Sequence, residues 1–157
     1  MGLGSGTVGD VRLNTELTAE DRAIFQNSRE IQSLLRQSRT IAVVGLSTEK
    51  TKASNMVASY LQDEGYIIVP VHPKADEILG EKAYRSLADI PFSIDIVNIF
   101  RPASEVQGIS EQAVAIGATA AWSQLRIVDL QAAKWTREQG IICIVDRCIK
   151  MEHGRYA

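Results

Sequence analysis

The sequence contains few cysteines, few aromatic residues and no excess of positive charge. Its 157 residues include two cysteines and 6% aromatic residues, and 17 Lys and Arg stand against 19 Asp and Glu, a formal net charge of -2. Two cysteines are too few for a disulfide scaffold, and the spacing of Cys and His predicts no zinc or other metal site. A chain without net positive charge has no overall field to hold a polyanion, so we expect no nucleic-acid partner.

Long apolar runs are also missing. No segment approaches the ~20 apolar residues of a membrane-spanning helix, and the N-terminus lacks the basic flank and apolar stretch of a secretory signal. We therefore expect a cytoplasmic protein with no membrane contact. Residues 1–17 carry four glycines and no hydrophobic periodicity, so they are predicted to be a flexible N-terminal arm, and residues 18–157 a single domain.

What the sequence does contain is an alternation of strand and helix patterns. Continuous apolar runs rich in β-branched residues indicate strands that are buried on both faces, as in parallel sheets. The predicted strands are 41–45, 66–71, 94–100, 118–122 and 141–145, and the predicted helices are 18–38, 54–64, 86–88, 106–116 and 129–139. This alternation with short connections predicts an α/β fold, a Rossmann-like doubly wound parallel sheet of about five strands in three α/β/α layers.

Ligands of such sheets bind beyond the carboxyl ends of the strands. The loop 45–55 follows the first strand and leads into a helix, whose N-terminal N–H groups are suited to phosphate. Gly45, Ser47, Lys52 and Ser54 in this loop are candidate phosphate-binding residues. The loop matches neither the dinucleotide fingerprint nor the P-loop, so a kinase or GTPase mechanism is not expected. Solvated lysines on a surface loop are the alternative.

The second strand ends at Val71-His72-Pro73-Lys74. An NAD-binding domain normally has Asp or Glu at this position to bind the ribose hydroxyls, so plain NAD is not expected. His72 and Lys74 favour a ligand with an extra phosphate on its adenosine ribose, which both NADP and coenzyme A carry. A packing or turn role for His72 is the alternative.

Two further segments place polar groups at the same edge of the sheet. Arg101 directly follows the third strand, where a guanidinium can bind phosphate with two hydrogen bonds. A structural ion pair of Arg101 with Asp95 or Glu105 is the alternative. Gln124 follows the fourth strand, and its amide suits the amides of an extended ligand.

Catalytic motifs are missing. The sequence contains neither Gly-x-Ser-x-Gly nor His-Glu-x-x-His. Cys148 is the candidate reactive thiol, because Arg147 and Lys150 flank it. An inert packed thiol is the alternative, with Asp146 paired with one of the two cations.

In their order and spacing, these segments resemble the small stand-alone coenzyme A-binding proteins whose fold is like the N-terminal domain of the succinyl-CoA synthetase α subunit. The resemblance covers about residues 20–155 and rests on the segments 41–47, 66–73, 79–84, 86–91, 95–101, 115–118, 122–124 and 146–153. It implies a Rossmann-like fold in which coenzyme A lies across the loops after the first three strands.

The chemistry of the loops and the resemblance together predict a set of binding residues. These are Gly45, Ser47, Lys52, Ser54, His72, Pro73, Lys74, Arg101 and Gln124. Ser47 and the backbone around Ser54 would hold the diphosphate, and His72-Pro73 the adenosine. Lys52 would bind the diphosphate, and Lys74 or Arg101 a further phosphate. Arg101 is assigned to the ribose phosphate, although the order of the loops fits the diphosphate equally. His72 and Arg126 depart from the family's pattern, which usually has Asn and a small residue at these positions.

We therefore expect a non-catalytic module that binds coenzyme A or a short acyl-CoA as a carrier, sensor or partner subunit. Ligase activity in the larger relatives needs segments that a chain of this length does not contain. A homo-oligomer or a partner protein is compatible with this role. The alternatives are an NADP-dependent oxidoreductase that uses the same edge of the sheet, and a domain that has lost its ligand and serves as an interaction surface.

Overall fold

The computed structural model describes residues 14–156, and these residues form six α-helices, a five-stranded sheet and a two-stranded hairpin. The helices are α1 (Ala19–Phe25), α2 (Ser28–Gln37), α3 (Ala53–Asp63), α4 (Val106–Ala115), α5 (Leu130–Glu138) and α6 (Ile149–Tyr156). The strands are β1 (Thr40–Val44), β2 (Ile67–Val71), β3 (Glu77–Ile78), β4 (Glu81–Lys82), β5 (Ile96–Ile99), β6 (Ala120–Ser123) and β7 (Ile142–Ile144). None of these helices is long and apolar enough to cross a membrane.

The main sheet is parallel throughout, with the strand order β2-β1-β5-β6-β7. Helices α2, α3 and α6 pack on one face, and α4 and α5 pack on the other together with a 3₁₀ turn at Leu87–Asp89. The Rossmann-like three-layer prediction is therefore confirmed. The chain winds in one direction from β1 to β2 and in the other from β5 to β7, so the sheet has a switch point between β1 and β5.

Alternate residues of the central strands point into two separate cores. In β1, Ile41 and Val43 face the core under α3, whereas Ala42 faces the core under α4. The largest fully buried side chain is that of Trp122 in β6. Its indole Nε1 donates to the Arg147 carbonyl at 2.8 Å, which satisfies the one polar group that this burial takes out of water.

The prediction of one helix over 18–38 is wrong, because the chain forms α1 and α2 there instead. Gln26 leaves the helical conformation with φ -136°, and its side-chain amide donates to the Val145 carbonyl at 2.9 Å. Asn27 then caps α2 by accepting the Glu30 N–H at 3.0 Å. Asn is among the preferred N-cap residues, so Asn27 is a signal for the break that the helical periodicity concealed.

Two elements were not predicted. The β3–β4 hairpin lies in the predicted loop after β2, and α6 lies at the C-terminal end. The paired strand residues of the hairpin are mostly charged and too short to show alternation, and α6 contains Gly154 and has few apolar residues. The other predicted strands and helices agree with the structure to within two residues at each end.

The predicted arm lies outside the described residues as far as residue 13. Asn14 is attached to the start of α5, where its side-chain oxygen accepts the Gln131 N–H at 2.9 Å and its carbonyl accepts the Leu130 N–H at 3.1 Å. Leu17 packs against the small apolar cluster around Phe25. Residues 14–17 thus contact the domain.

Candidate functional site

A cleft of about 570 Å³ opens at the carboxyl end of the sheet, above the switch point between β1 and β5. The ends of β1 and β2 and the loops after β1, β2 and β5 form it, together with the start of the 3₁₀ turn and one side of α4. Its lining residues are Val44, Gly45, Leu46, Ser47, Val71, His72, Pro73, Arg85, Ser86, Leu87, Arg101, Glu105, Ile109 and Gln112. In an open α/β sheet this is the expected position of a ligand.

Gly45 forms the floor of the cleft, where β1 turns into its loop. Its φ is +92°, and a Cβ at this position would lie 2.5 Å from the Phe100 carbonyl oxygen and 2.9 Å from Cδ of Arg101. Only glycine combines this backbone conformation with so close an approach. The aliphatic stem of Arg101 consequently lies directly over the turn at the end of β1.

The loop after β1 folds back onto the start of α3. Ser54 Oγ accepts the Ser47 N–H at 2.9 Å, and the Asn55 side-chain amide donates to the Ser47 carbonyl at 2.8 Å. Ser47 Oγ in turn accepts the Glu49 N–H at 3.0 Å. Lys52, at the N-cap of α3, makes no side-chain capping hydrogen bond. The first turn of α3 therefore keeps backbone donors and the positive end of the helix dipole for an anion.

His72 shapes the turn that follows β2. Its Nδ1 accepts the Lys74 N–H at 3.0 Å and the Ala75 N–H at 2.8 Å. A ring nitrogen that accepts carries no proton, so the neutral ring has its proton on Nε2 and presents a donor there. His72 has the turn role that the sequence left open, and it also lines the cleft with Pro73.

Arg101 forms a two-bond ion pair with Glu105. Its Nε donates to Oε1 at 3.0 Å and its Nη2 to Oε2 at 2.8 Å, and both side chains are about half exposed. The hydrogen bond from Arg101 lowers the pKa of Glu105, and the same bond raises the pKa of Arg101. The alternative partner Asp95 is wrong, because it lies at the opposite end of the sheet, where it accepts the Arg39 and Thr40 N–H groups.

Arg85 is a cleft residue that the sequence analysis missed. It follows Tyr84, which pairs with the last residue of β2. Its Nη1 donates to the Ala75 carbonyl at 2.6 Å, and its Nη2 pairs with Asp76 at 2.9 Å. Only the return of this segment to the edge of the sheet brings Arg85 into the cleft, and no local sequence pattern predicts that return.

The predicted binding residues divide into two groups. Gly45, Ser47, His72, Pro73 and Arg101 line the cleft, and Lys52, Ser54, Lys74 and Gln124 are not among its lining residues. Ser54 is buried under the loop that it supports, and Lys52 and Lys74 are exposed. Gln124 is buried and donates to Asn98 Oδ1 at 2.6 Å, while its Oε1 accepts the Ile149 N–H at 3.4 Å. It therefore joins β5, β6 and α6.

The segment around Cys148 also lies outside the cleft lining. Cys148 is partly exposed and packs against the core at the start of α6. The alternative in which Asp146 pairs with Arg147 or Lys150 is not found among the described ion pairs, and the Asp146 carboxylate accepts the Arg126 backbone N–H at 2.6 Å. The described residues contain no cluster of three side chains that could hold a metal ion.

The family of the chain follows from a comparison with family models. A model described as "CoA binding domain" matches residues 39–154, which include every lining residue of the cleft. The chain belongs to this CoA-binding domain family. The resemblance found in the sequence is thereby confirmed at the level of the family.

Individual relatives support this assignment. The chain is 43% identical over 125 residues to the uncharacterized protein YneT of Bacillus subtilis, covering 80% of this chain and 93% of that protein. A hypothetical protein from Pyrococcus horikoshii superposes with a TM-score of 0.79 at 33% identity, covering 94% of this chain and 97% of that one.

A ligase also shares part of the sequence. The ADP-forming acetate–CoA ligase of Methanocaldococcus jannaschii is 32% identical over 74 residues, which is 47% of this chain and 10% of the ligase. The likeness to the N-terminal domain of the succinyl-CoA synthetase α subunit stays a prediction.

Replacing Gly45 by alanine should destabilise the CoA-binding domain. An alanine at positive φ is strained by about 1–2 kcal/mol, and its methyl group would also meet the Phe100 carbonyl, which the strand holds in place. We expect the free energy of unfolding, measured in urea, to fall by at least this amount.

Gly108→Ala is the matched control, because nothing lies within 4 Å of a Cβ at this helical glycine. That substitution should be neutral or stabilise the fold by roughly 0.4–1 kcal/mol. Equal stability of Gly45→Ala and the wild type would contradict the account of the turn.

The two thiols should differ in their reaction with iodoacetamide. Burial raises the pKa of Cys143 to about 12, and its side chain is sealed in the core, whereas Cys148 is partly exposed. Peptide mass spectrometry should find the label on Cys148 in the folded protein and on both residues after unfolding in urea. Labelling of Cys143 as fast as Cys148 before unfolding would be the contrary result.

Proposed function

We propose that the cleft binds coenzyme A or a short acyl-CoA and that the chain acts as a binding module without a reaction of its own. The observation that carries the proposal is that the match to the CoA-binding domain contains all the residues that line the cleft. The acetate–CoA ligase relative adds support, since its shared portion is only a tenth of its length. We take that portion to be the part of the ligase that binds the cofactor.

The chemistry of the cleft suits the adenosine diphosphate part of such a ligand. The Ser47 hydroxyl, whose Oγ accepts the Glu49 N–H, and the uncapped start of α3 offer donors to a diphosphate. At the end of β2, Pro73 supplies an apolar surface and His72 Nε2 a donor for the adenosine. Arg85 and Arg101 add positive charge on the two sides.

The absence of a reaction is proposed from the state of the polar groups in the cleft. His72 is the one imidazole among the described lining residues, and its Nδ1 already accepts two backbone N–H groups. Since Nε2 carries the proton of the neutral ring, neither nitrogen is free to take a proton from a serine hydroxyl. Glu105 is engaged by Arg101.

NADP binding is the second candidate. NADP shares with coenzyme A an adenosine diphosphate and an extra phosphate on the adenosine ribose, and the end of β2 lacks the acidic residue that would select NAD. A role as a ligand-free interaction surface is the third candidate, and it predicts that neither coenzyme A nor NADP binds.

Isothermal titration calorimetry with coenzyme A, acetyl-CoA and NADP tests the proposal. We expect heat of binding with coenzyme A and acetyl-CoA and a weaker response with NADP. No heat at millimolar coenzyme A would remove the proposal, and tighter binding of NADP than of coenzyme A would favour the second candidate.

Ser47→Asp locates the site in the same experiment. Aspartate can still accept the Glu49 N–H, but it places a negative charge where the diphosphate is proposed to bind. Affinity for coenzyme A should fall at least about tenfold, which corresponds to about 1.4 kcal/mol. Ser33→Asp is the matched control, since Ser33 lines a separate depression away from the cleft. Equal affinities of the two variants would place the ligand elsewhere.

A further inference from the structure

The cleft contains two arginines, and they stand on different sides of the end of β1. Arg101 follows β5, and its Cδ lies over the Gly45 turn. A Cβ added at Gly45 would lie 2.9 Å from this Cδ. Glu105 holds the Nε and Nη2 edge of its guanidinium. The Arg101 side chain therefore passes over the Gly45 turn and pairs with Glu105, at the switch point.

Arg85 lies on the outer side of the sheet. Tyr84 pairs with Val71, and backbone hydrogen bonds join Tyr84 to Pro70 and His72 at 2.9 Å each. Tyr84 thus occupies the position of a further strand beyond β2, two strand spacings or about 10 Å from β1. Arg85 is the next residue and lines the same cleft as Arg101.

The ion pair of Arg85 leaves the guanidinium able to bind an anion. Its partner Asp76 is 94% exposed, and the Arg85 side chain itself is 48% exposed. Exposed ion pairs contribute little to stability, whereas a phosphate dianion forms stronger charge-assisted hydrogen bonds with a guanidinium. A phosphate in the cleft can therefore bind Arg85 together with Asp76 or take the place of Asp76.

The order of these groups along the edge of the sheet matches the order of groups in the ligand. In doubly wound folds the diphosphate lies at the turn after the first strand, and the adenosine ribose lies at the end of the neighbouring strand. Here these positions are Gly45 at the end of β1 and His72 at the end of β2. A phosphate attached to that ribose lies farther from the diphosphate, on the side of Arg85.

We propose that Arg85 binds the phosphate on the adenosine ribose and that Arg101 binds the diphosphate. Arg85 then determines the selectivity for coenzyme A over dephospho-CoA. The assignment rests on the proposed function, and it chooses between the two roles for Arg101 that the order of the loops left open. Arg101 is thereby assigned to the diphosphate instead of the ribose phosphate.

The test compares Arg85→Ala, Arg101→Ala and Arg36→Ala by calorimetry with coenzyme A and dephospho-CoA. Arg85→Ala should weaken coenzyme A roughly ten- to a hundredfold and dephospho-CoA less than about twofold. Arg101→Ala should weaken both ligands by a similar factor. Arg36→Ala is the control for lost charge, because Arg36 lines a depression outside the cleft, and it should change neither affinity.

Asp76→Asn separates ligand binding from support of the turn. Arg85 also holds the turn through the Ala75 carbonyl and Asp76. Support of the turn through Asp76 predicts that Asp76→Asn weakens coenzyme A, and support through Ala75 predicts that Arg85→Ala weakens coenzyme A and dephospho-CoA alike. If Arg85 binds phosphate, Asp76→Asn should leave the affinity for coenzyme A unchanged or raise it. The Tm of each variant reports whether the fold is kept.

Several results would overturn the assignment. Arg85→Ala could weaken both ligands equally or neither of them, or Arg101→Ala could weaken coenzyme A alone. A wild-type protein that binds dephospho-CoA as tightly as coenzyme A would also overturn it while leaving the proposed function standing. A wild-type protein that binds neither ligand would overturn both.

Discussion

The contact between Gly45 and the end of β5 is the constraint on which the site depends. A side chain at Gly45 would collide with the Phe100 carbonyl oxygen at 2.5 Å, so the two strands on either side of the switch point can end together only around a glycine. This turn sends the chain from β1 toward α3 while β5 continues into Arg101. The floor of the cleft, the loop that leads into α3 and one of the cations of the cleft thus depend on the same turn.

The charges of the cleft show why the composition of the chain says little about its ligand. The formal net charge is -2, yet two guanidiniums line one cleft, each beside a carboxylate that comes from a nearby position in the sequence. These carboxylates orient the guanidiniums and offset their charge. A local arrangement of this kind suits a small phosphate ligand and gives no overall field for a large polyanion.

The sequence predicts most of the fold because the patterns involved are local. Buried parallel strands are continuous apolar runs, and glycine stops after α3, α4 and α5 are all found at positive φ, at Gly65, Gly117 and Gly140. Features that depend on contacts distant in sequence were missed. The break before α2 combines a local cap at Asn27 with a hydrogen bond from Gln26 to the far end of the chain.

The same division applies to the candidate site. Residues directly after β1, β2 and β5 could be predicted, because parallel strands bring their carboxyl ends to one edge. Arg85 could not, since it reaches the cleft only when Tyr84 pairs with β2. Gln124 follows a strand as well, yet it turns inward to Asn98, and the direction of a side chain after a strand depends on register that a single sequence does not reveal.

The most direct test of the account is a crystal structure of the protein with coenzyme A. The account predicts the diphosphate against the loop after Gly45 and the start of α3, with the adenosine at His72 and Pro73 beyond the end of β2. Coenzyme A bound away from the β1 and β5 switch point, or a cleft that stays empty at saturating ligand, would contradict it.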